Sequence, residues 1–167
     1  MSMKNSKYKV IVTTPEDKDI VKKCEKIAFE NNVENGGTLR FLGLVGYADY
    51  IMYCTCDDKV VGFAALNENF AYKNDIYILQ IAVKKEFQNQ GVGTELFEYL
   101  FHHSKQYRCI TSNVKKGNES SLKLHKKFGF ILMNLDGEHF DLIARPKKIF
   151  NKDLRVTKKV QTKELSL

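Results

Sequence analysis

Residues 77–100 read Y-I-L-Q-I-A-V-K-K-E-F-Q-N-Q-G-V-G-T-E-L-F-E-Y-L, and this stretch decides the fold. From Tyr77 it opens as an apolar run rich in Ile and Val, the pattern of a buried strand. It closes as a helix whose apolar positions Val92, Leu96 and Leu100 recur every four residues. Between the two lies the turn Gln88-Asn89-Gln90-Gly91-Val92-Gly93-Thr94. Gly91 and Gly93 permit positive φ and let a ligand approach with no Cβ in the way. The amides of such a turn, with the free N–H groups of the first helical turn, form a concave donor surface at the positive end of the helix dipole. That surface suits a pyrophosphate.

The turn is not a Walker loop, because no Gly-Lys-Ser/Thr follows, and Leu96 occupies the place of the third glycine in a dinucleotide fingerprint. A second motif lies downstream: Asn118-Glu-Ser-Ser-Leu-Lys-Leu-His125-Lys-Lys-Phe-Gly129-Phe130. Strand, Q-x-x-G-x-G, helix and this second motif together resemble the GCN5-related N-acetyltransferase (GNAT) family. In element order the resemblance runs from about residue 8 to 144. It implies a mixed α/β (α+β) fold, a largely antiparallel central sheet flanked by helices and splayed at the acetyl-CoA site.

The resemblance further implies an N-acetyltransferase that moves the acetyl group of acetyl-CoA directly to a primary amine. Acetyl-CoA is then a co-substrate, with Gln88, Asn89, Gln90, Gly91, Val92, Gly93 and Thr94 at its pyrophosphate and Asn118 toward the pantetheine. A bulge in the central strand would free amides near Ile81, Ala82 and Val83 as oxyanion donors. Where many members place a Glu base, this chain has Tyr77, a poor base that could position a water. Asp75 projects to the same face, and Glu68 is a further candidate. The family's tyrosine position near the thiol is His125, read either as the general acid for the departing thiolate or as a neutral replacement. Lys84, Lys85, Lys123 or Lys126 would neutralise the 3′-phosphate. A catalytically silent acyl-CoA-binding module is the alternative to an enzyme.

Composition agrees with one domain. Of 167 residues 43% are hydrophobic and two are proline, as in a globular chain. No apolar run approaches the roughly 20 residues of a membrane helix, and residues 1–9 lack the apolar core of a signal peptide. Cys24, Cys54, Cys56 and Cys109 form no C-x-x-C pair and read as free thiols in a reducing cytoplasm. No metal site is expected, because His102, His103 and His125 lack partners at ligand spacing. From Arg145 onward eight Lys/Arg face two acids, whereas residues 1–144 hold nineteen bases and eighteen acids. The expected division is therefore a domain, 1–145, and a basic tail, 146–167. The tail lacks the aromatic-basic interleaving of a nucleic-acid binder. The partner expected is a small-molecule or protein amine, with no membrane, and a homodimer is left open.

In chain order, residues 8–13 read as a strand, followed by a helix with Thr14 as N-cap and Pro15 at its first position. That helix buries Ile20, Val21, Cys24, Ile27 and Ala28. Residues 33–50, with Gly36-Gly37, hold a short second helix over 41–45. In the family this region helps wall the acceptor site, and Phe41, Tyr47 and Tyr50 are its aromatics. Strands over 51–56 and 60–66 flank the hairpin signal Asp57-Asp58-Lys59. A polar loop, 67–74, precedes the central strand. Strands over 108–114, 130–135 and 138–144, the last two joined at Asp136-Gly137, and a helix from Asn118 to Gly129 complete the order.

Overall fold

The structure, a computed structural model, describes residues 7–31 and 37–146. Gly36 and the basic segment from 147 onward lie outside the described residues. The elements follow the expected order: β1 (Tyr8–Thr13), α1 (Lys18–Asn31), α2 (Gly37–Val45), β2 (Tyr50–Cys56), β3 (Lys59–Glu68), β4 (Asp75–Val83), α3 (Val92–His103), β5 (Cys109–Lys115), α4 (Glu119–Lys127), β6 (Ile131–Asp136) and β7 (His139–Ala144). Among the described residues the strands form one sheet in the order β1-β2-β3-β4-β5-β7-β6, antiparallel except between β4 and β5.

Strand alternation divides the core between the two faces of the sheet. On one face Met52, Cys54, Leu66, Ile76, Ile78 and Ile110 pack with Val92, Leu96, Phe97 and Leu100 of α3. On the other, Ile51, Phe63 and Ala65 pack with Ile20, Cys24, Ile27 and Ala28 of α1 and with Phe41 of α2. Phe41 and Phe63 meet edge to face at 5.4 Å and are fully buried. Phe41 is therefore part of the core, whereas Tyr47 is exposed. All four cysteines are free and buried. Strand β6 closes the sheet with an outer edge, and Ile131, Leu132, Met133 and Leu135 are exposed there.

Several boundaries differ from the sequence reading, each for a local reason. Helix α1 begins at Lys18, and its N-cap is Asp17, whose Oδ1 accepts from the Ile20 amide at 3.2 Å. Thr14 instead opens a turn through Pro15 and Glu16, its carbonyl accepting from the Asp17 amide at 3.1 Å. Asn67 and Glu68 continue β3 because they pair with Tyr77 and Ile76. The first hairpin loop is Asp57-Asp58 alone, both at positive φ, with Lys59 already paired to Cys56. The second is Gly137-Glu138, not Asp136-Gly137, since Asp136 pairs with His139. A one-turn 3₁₀ segment, Lys85–Phe87, bridges β4 to the glycine turn and was not anticipated.

Candidate active site

The site is set by what happens to β4. Its register against β3 shifts between Ala65 and Leu66, which pair with Gln80 and Ile78. Leu79 is the extra residue, a bulge that reverses the alternation. Ile76 and Ile78 pack on the α3 side before it, and Ile81 and Val83 after it. Strand β5 pairs with β4 only from Asp75↔Cys109 to Ile78↔Ser112, then continues against β7 as far as Lys115. Bulge and separation coincide. Beyond Ile78 the two parallel strands open into a V, and the main-chain groups of Leu79–Val83 that point away from β3 have no strand partner. The amides of Ile81, Ala82 and Val83 lie on this stretch.

The glycine turn closes the far end of β4. Asn89 (φ 58°) and Gly91 (φ 92°) both adopt the left-handed region, which for Gly91 carries no steric cost. Gly91 is the N-cap of α3, and no side chain caps that terminus. The amides of Val92, Gly93 and Thr94 are therefore left to a ligand or to solvent, at the positive end of a twelve-residue helix. Gly93 differs from expectation: its φ is not positive, and a Cβ there would sit 3.0 Å from Leu124 Cδ2. Its missing side chain admits α4 beside α3. Gln88 fastens the turn, its Nε2 donating to Asn31 Oδ1 at 2.8 Å and to the Val83 carbonyl at 3.2 Å. Gln90 ties the turn to Glu86 O at 2.7 Å. The side chains of Gln88 and Gln90 thus shape the cradle from behind.

Asn118 caps α4 as expected, Oδ1 accepting from the Ser121 amide at 3.2 Å. Lys127 was missed. Its Nζ reaches Thr94 Oγ1 at 3.2 Å, placing a cation beside the uncapped start of α3. Only the packing of α4 on α3 brings the two together, so no spacing rule signals it. Lys84, one of the lysines considered, is paired with Glu86 at 2.7 Å.

The expected proton-transfer residues fall in three places. His125 lies 1% exposed between the rings of Phe97 and Phe130, at 5.0 and 4.8 Å. Its Nδ1 is 2.7 Å from the Ser121 carbonyl, which can only accept, so Nδ1 carries the proton. Nε2 lies 2.9 Å from Ser112 Oγ, a hydroxyl that can donate to it or accept from it. Burial pushes the imidazole pKa below its ordinary value, with the Ser121 bond opposing. That runs against direct donation from an imidazolium, because burial without a countercharge disfavours the charged form.

Asp75 is fully buried, Oδ2 accepting from Thr111 Oγ1 at 2.8 Å and from the Ala71 amide at 3.3 Å. It clamps the 69–74 loop onto the start of β4. Tyr77 pairs with Thr111 on the same face and stacks on Phe70 at 4.6 Å. Glu68 pairs with Ile76 and so lies on the opposite, α3 face, where it accepts from Tyr50 and Tyr107. Burial, then the Glu68 bond, pushes the Tyr107 pKa upward. The structure therefore separates Glu68 from Asp75 and Tyr77. Ser112, which no motif named, stands where β4 and β5 part. A depression between the start of α1 and the end of α2, floored by Val21, Leu42 and Val45, shares no residue with the cleft.

With this geometry established, comparison with known proteins is direct. The model of the acetyltransferase (GNAT) family matches residues 41–130. This chain belongs to the GNAT family. It is an acetyl-CoA-dependent acyltransferase. No curated protein sequence matches the chain. Among solved structures, a Pyrococcus horikoshii protein is similar at 21% identity and TM-score 0.68, covering 83% of this chain and 98% of its own. The ribosomal-protein-S18-alanine N-acetyltransferase of Escherichia coli is similar at 18% identity and TM-score 0.63, covering 89% and 100%. YncA of Salmonella typhimurium, solved with its cofactor acetyl-CoA, is similar at 11% identity and TM-score 0.63, covering 89% and 99%. At these identities the likeness is one of fold, and the GNAT fold is what they share. No described helix is long and apolar enough to cross a membrane, and no group of three metal-ligating side chains occurs among the described residues.

Proposed function

We propose that the protein transfers the acetyl group directly from acetyl-CoA to a primary amine held at the point of the β4–β5 cleft. The observation that carries this reading is the coincidence of the Leu79 bulge, the loss of pairing after Ile78↔Ser112 and the uncapped α3 terminus at one end of the central strand β4. The pyrophosphate sits on the amides of residues 88–94, with Lys127 and Thr94 beside it. The pantetheine runs along the unpaired edge of β4, and Asn118 offers its amide nitrogen toward it. An amide of Ile81, Ala82 or Val83 receives the thioester oxygen as it gains charge, worth about 10²–10³ in rate for a single donor. Tyr77 lines the acceptor side of β4, where it orients the incoming amine, and the buried Asp75 holds the neighbouring 69–74 loop in place. The domain spans residues 1–145, and the basic tail, 146–167, is outside the chemistry.

The test is release of free thiol from acetyl-CoA. Four acceptors cover the amine classes: spermidine, lysine amide, phenethylamine and a peptide with a free alanine N-terminus. The alanyl peptide is included because that is the residue named for the Escherichia coli relative. One of them accelerates thiol release and becomes acetylated by mass. Tight acetyl-CoA binding with no acceleration by any primary amine would instead favour the silent binding module.

A further inference from the structure

The loop between β3 and β4, residues 69–74, is pinned along its length and carries two large aromatic side chains into solvent. Asn69 donates its amide to the Asp75 carbonyl at 3.0 Å, and its Oδ1 accepts from the Asn74 amide at 2.6 Å. The Asp75 amide returns to the Tyr72 carbonyl at 3.3 Å, and Asp75 Oδ2 takes the Ala71 amide. The Arg108 amide holds the Asn74 carbonyl at 2.9 Å, tying the loop to the segment that enters β5. Asn69 and Asn74 both adopt the left-handed region, which asparagine tolerates better than most residues. On this fixed loop Phe70 is 52% and Tyr72 41% exposed. Folding gains little from rings left in water, whereas binding gains from rings held in place.

Strand register places this loop beside the cleft. Tyr77 directly precedes Ile78, whose pairing with Ser112 is the last before β4 and β5 part. The step from one to the other is about 3.3 Å along a strand. Phe70 stacks on Tyr77 at 4.6 Å and 35°, on the face of β4 away from α3, where the amine is placed. The turn after α2 reaches the same strands, because the Tyr47 carbonyl accepts from Asn67 Nδ2 and Asn67 pairs with Tyr77. The acids of this region are engaged elsewhere. Asp49 Oδ2 accepts from the Glu68 amide at 2.8 Å, and Glu68 itself lies on the α3 face. Asp75 is sealed beneath the loop, its Oδ1 buried and without a partner among the described residues. None of these three carboxyls stands free beside the two rings.

We infer that Phe70 and Tyr77 form an aromatic subsite for the body of the acceptor, and that the substrates are primary amines on a short chain ending in an aromatic ring. The inference deepens the amine-acetylation reading above and rests on it. The nitrogen has to reach the closed end of the cleft while the rest of the molecule lies against Phe70, and a short alkyl chain spans that separation. An aromatic ring then meets rings, a contact worth about 2–12-fold in affinity beyond the area it buries. A saturated ring fills the same space without that gain. A polyamine brings further ammonium groups to a place where no carboxyl stands free to receive them.

The experiment measures kcat/KM by thiol release at saturating acetyl-CoA for phenethylamine, 2-cyclohexylethylamine, ethylamine and spermidine. The full-length protein is compared with Phe70→Ala and Phe70→Tyr. Phenethylamine should be the best of these amines, ahead of 2-cyclohexylethylamine by about 2–12-fold. The ratio of phenethylamine to ethylamine should fall about tenfold or more in Phe70→Ala, chiefly through KM, as ring stacking and ring burial are lost together. Phe70→Tyr, which keeps the ring, should hold that ratio near the parent's. Each ratio is taken on one preparation, so any loss of folded protein cancels. A ratio that stays within about threefold of the parent's in Phe70→Ala would overturn the subsite alone. So would a parent that prefers spermidine, ethylamine or the saturated ring. Thiol release accelerated by no primary amine would overturn the amine reading and the subsite with it.

Discussion

Gly62→Ala should disturb acetyl-CoA binding from beneath the start of α3, chiefly through its contact with Val92. A Cβ at Gly62 would lie 2.7 Å from Val92 Cγ1, 3.2 Å from the Ala82 carbonyl oxygen and 3.5 Å from Val83 Cγ2. Carbon pairs rest at about 3.5–4.0 Å, so Val92 must withdraw by on the order of 1 Å. It cannot do so by turning, because a helical β-branched side chain is held near one rotamer. Val92 is 1% exposed and is the first residue of α3, so the backbone of the cradle has to move with it. Overpacking of this kind costs about 1–3 kcal/mol. At roughly 2–4 °C per kcal/mol for a chain of this size, Tm falls by about 2–12 °C. Val92→Ala alone removes two buried methyl groups, about 1.6 kcal/mol before any cavity is counted. In the double variant the clash disappears, so the two losses should fall short of additivity by about 1 kcal/mol or more. Denaturant titration of the four proteins, with calorimetry of acetyl-CoA on each, reads both effects. Gly62→Ala should bind more weakly, and Val92→Ala should restore part of the affinity. Additive stabilities with unchanged affinity in Gly62→Ala would show that this contact does not position the cradle.

Other expectations follow from the same contacts. Gly91→Asp places a side chain at φ 92° and a negative charge in the anion cradle, and should weaken CoA binding at least tenfold by calorimetry. Lys127→Ala should lower affinity for CoA more than for pantetheine, which carries no phosphate, because its Nζ lies at the α3 terminus and not along the cleft. Because burial depresses the folded pKa of His125, its contribution to stability is full above the unfolded value of about 6.5 and is lost as pH falls through the folded value. Denaturation midpoints should therefore drop on acidification, and less so in His125→Gln. Burial pushes the thiols of Cys24 and Cys54 up to about 12, so a thiol reagent at pH 8 should label them only as the protein unfolds. Truncation after Arg145 should leave folding and acetyl-CoA affinity intact, as circular dichroism and calorimetry would report.

Much of the fold was legible because its signals are local. The apolar run of Ile and Val in β4, the four-residue period of α3 and the Asn118 cap each act within one element, and each stands where expected. Boundaries failed where two local signals competed. Thr14-Pro15 and Asp17 can both start a helix, and the turn through Pro15 left Asp17 as the cap. Asp136-Gly137 is a good hairpin pair, but the β6–β7 register moved the loop one residue on. The site was legible where backbone makes it. It was not where side chains from distant segments meet. Lys127 reaches Thr94 only because Gly93 admits Leu124, and Ser112 meets His125 only because α4 folds back on β5. Nor could spacing say which way the histidine ring faces, since that depends on the carbonyl four residues before it.

The central claim is that acetyl-CoA lies in the β4–β5 cleft with its pyrophosphate on the start of α3. Amide NMR of the isotopically labelled protein, titrated with acetyl-CoA, tests it most directly. The largest shifts should fall on Gly91, Gly93 and Thr94, with a second group at Ile81, Ala82 and Val83 and at Ser112. Saturable binding that shifts other amides and leaves residues 88–94 unmoved would contradict the placement.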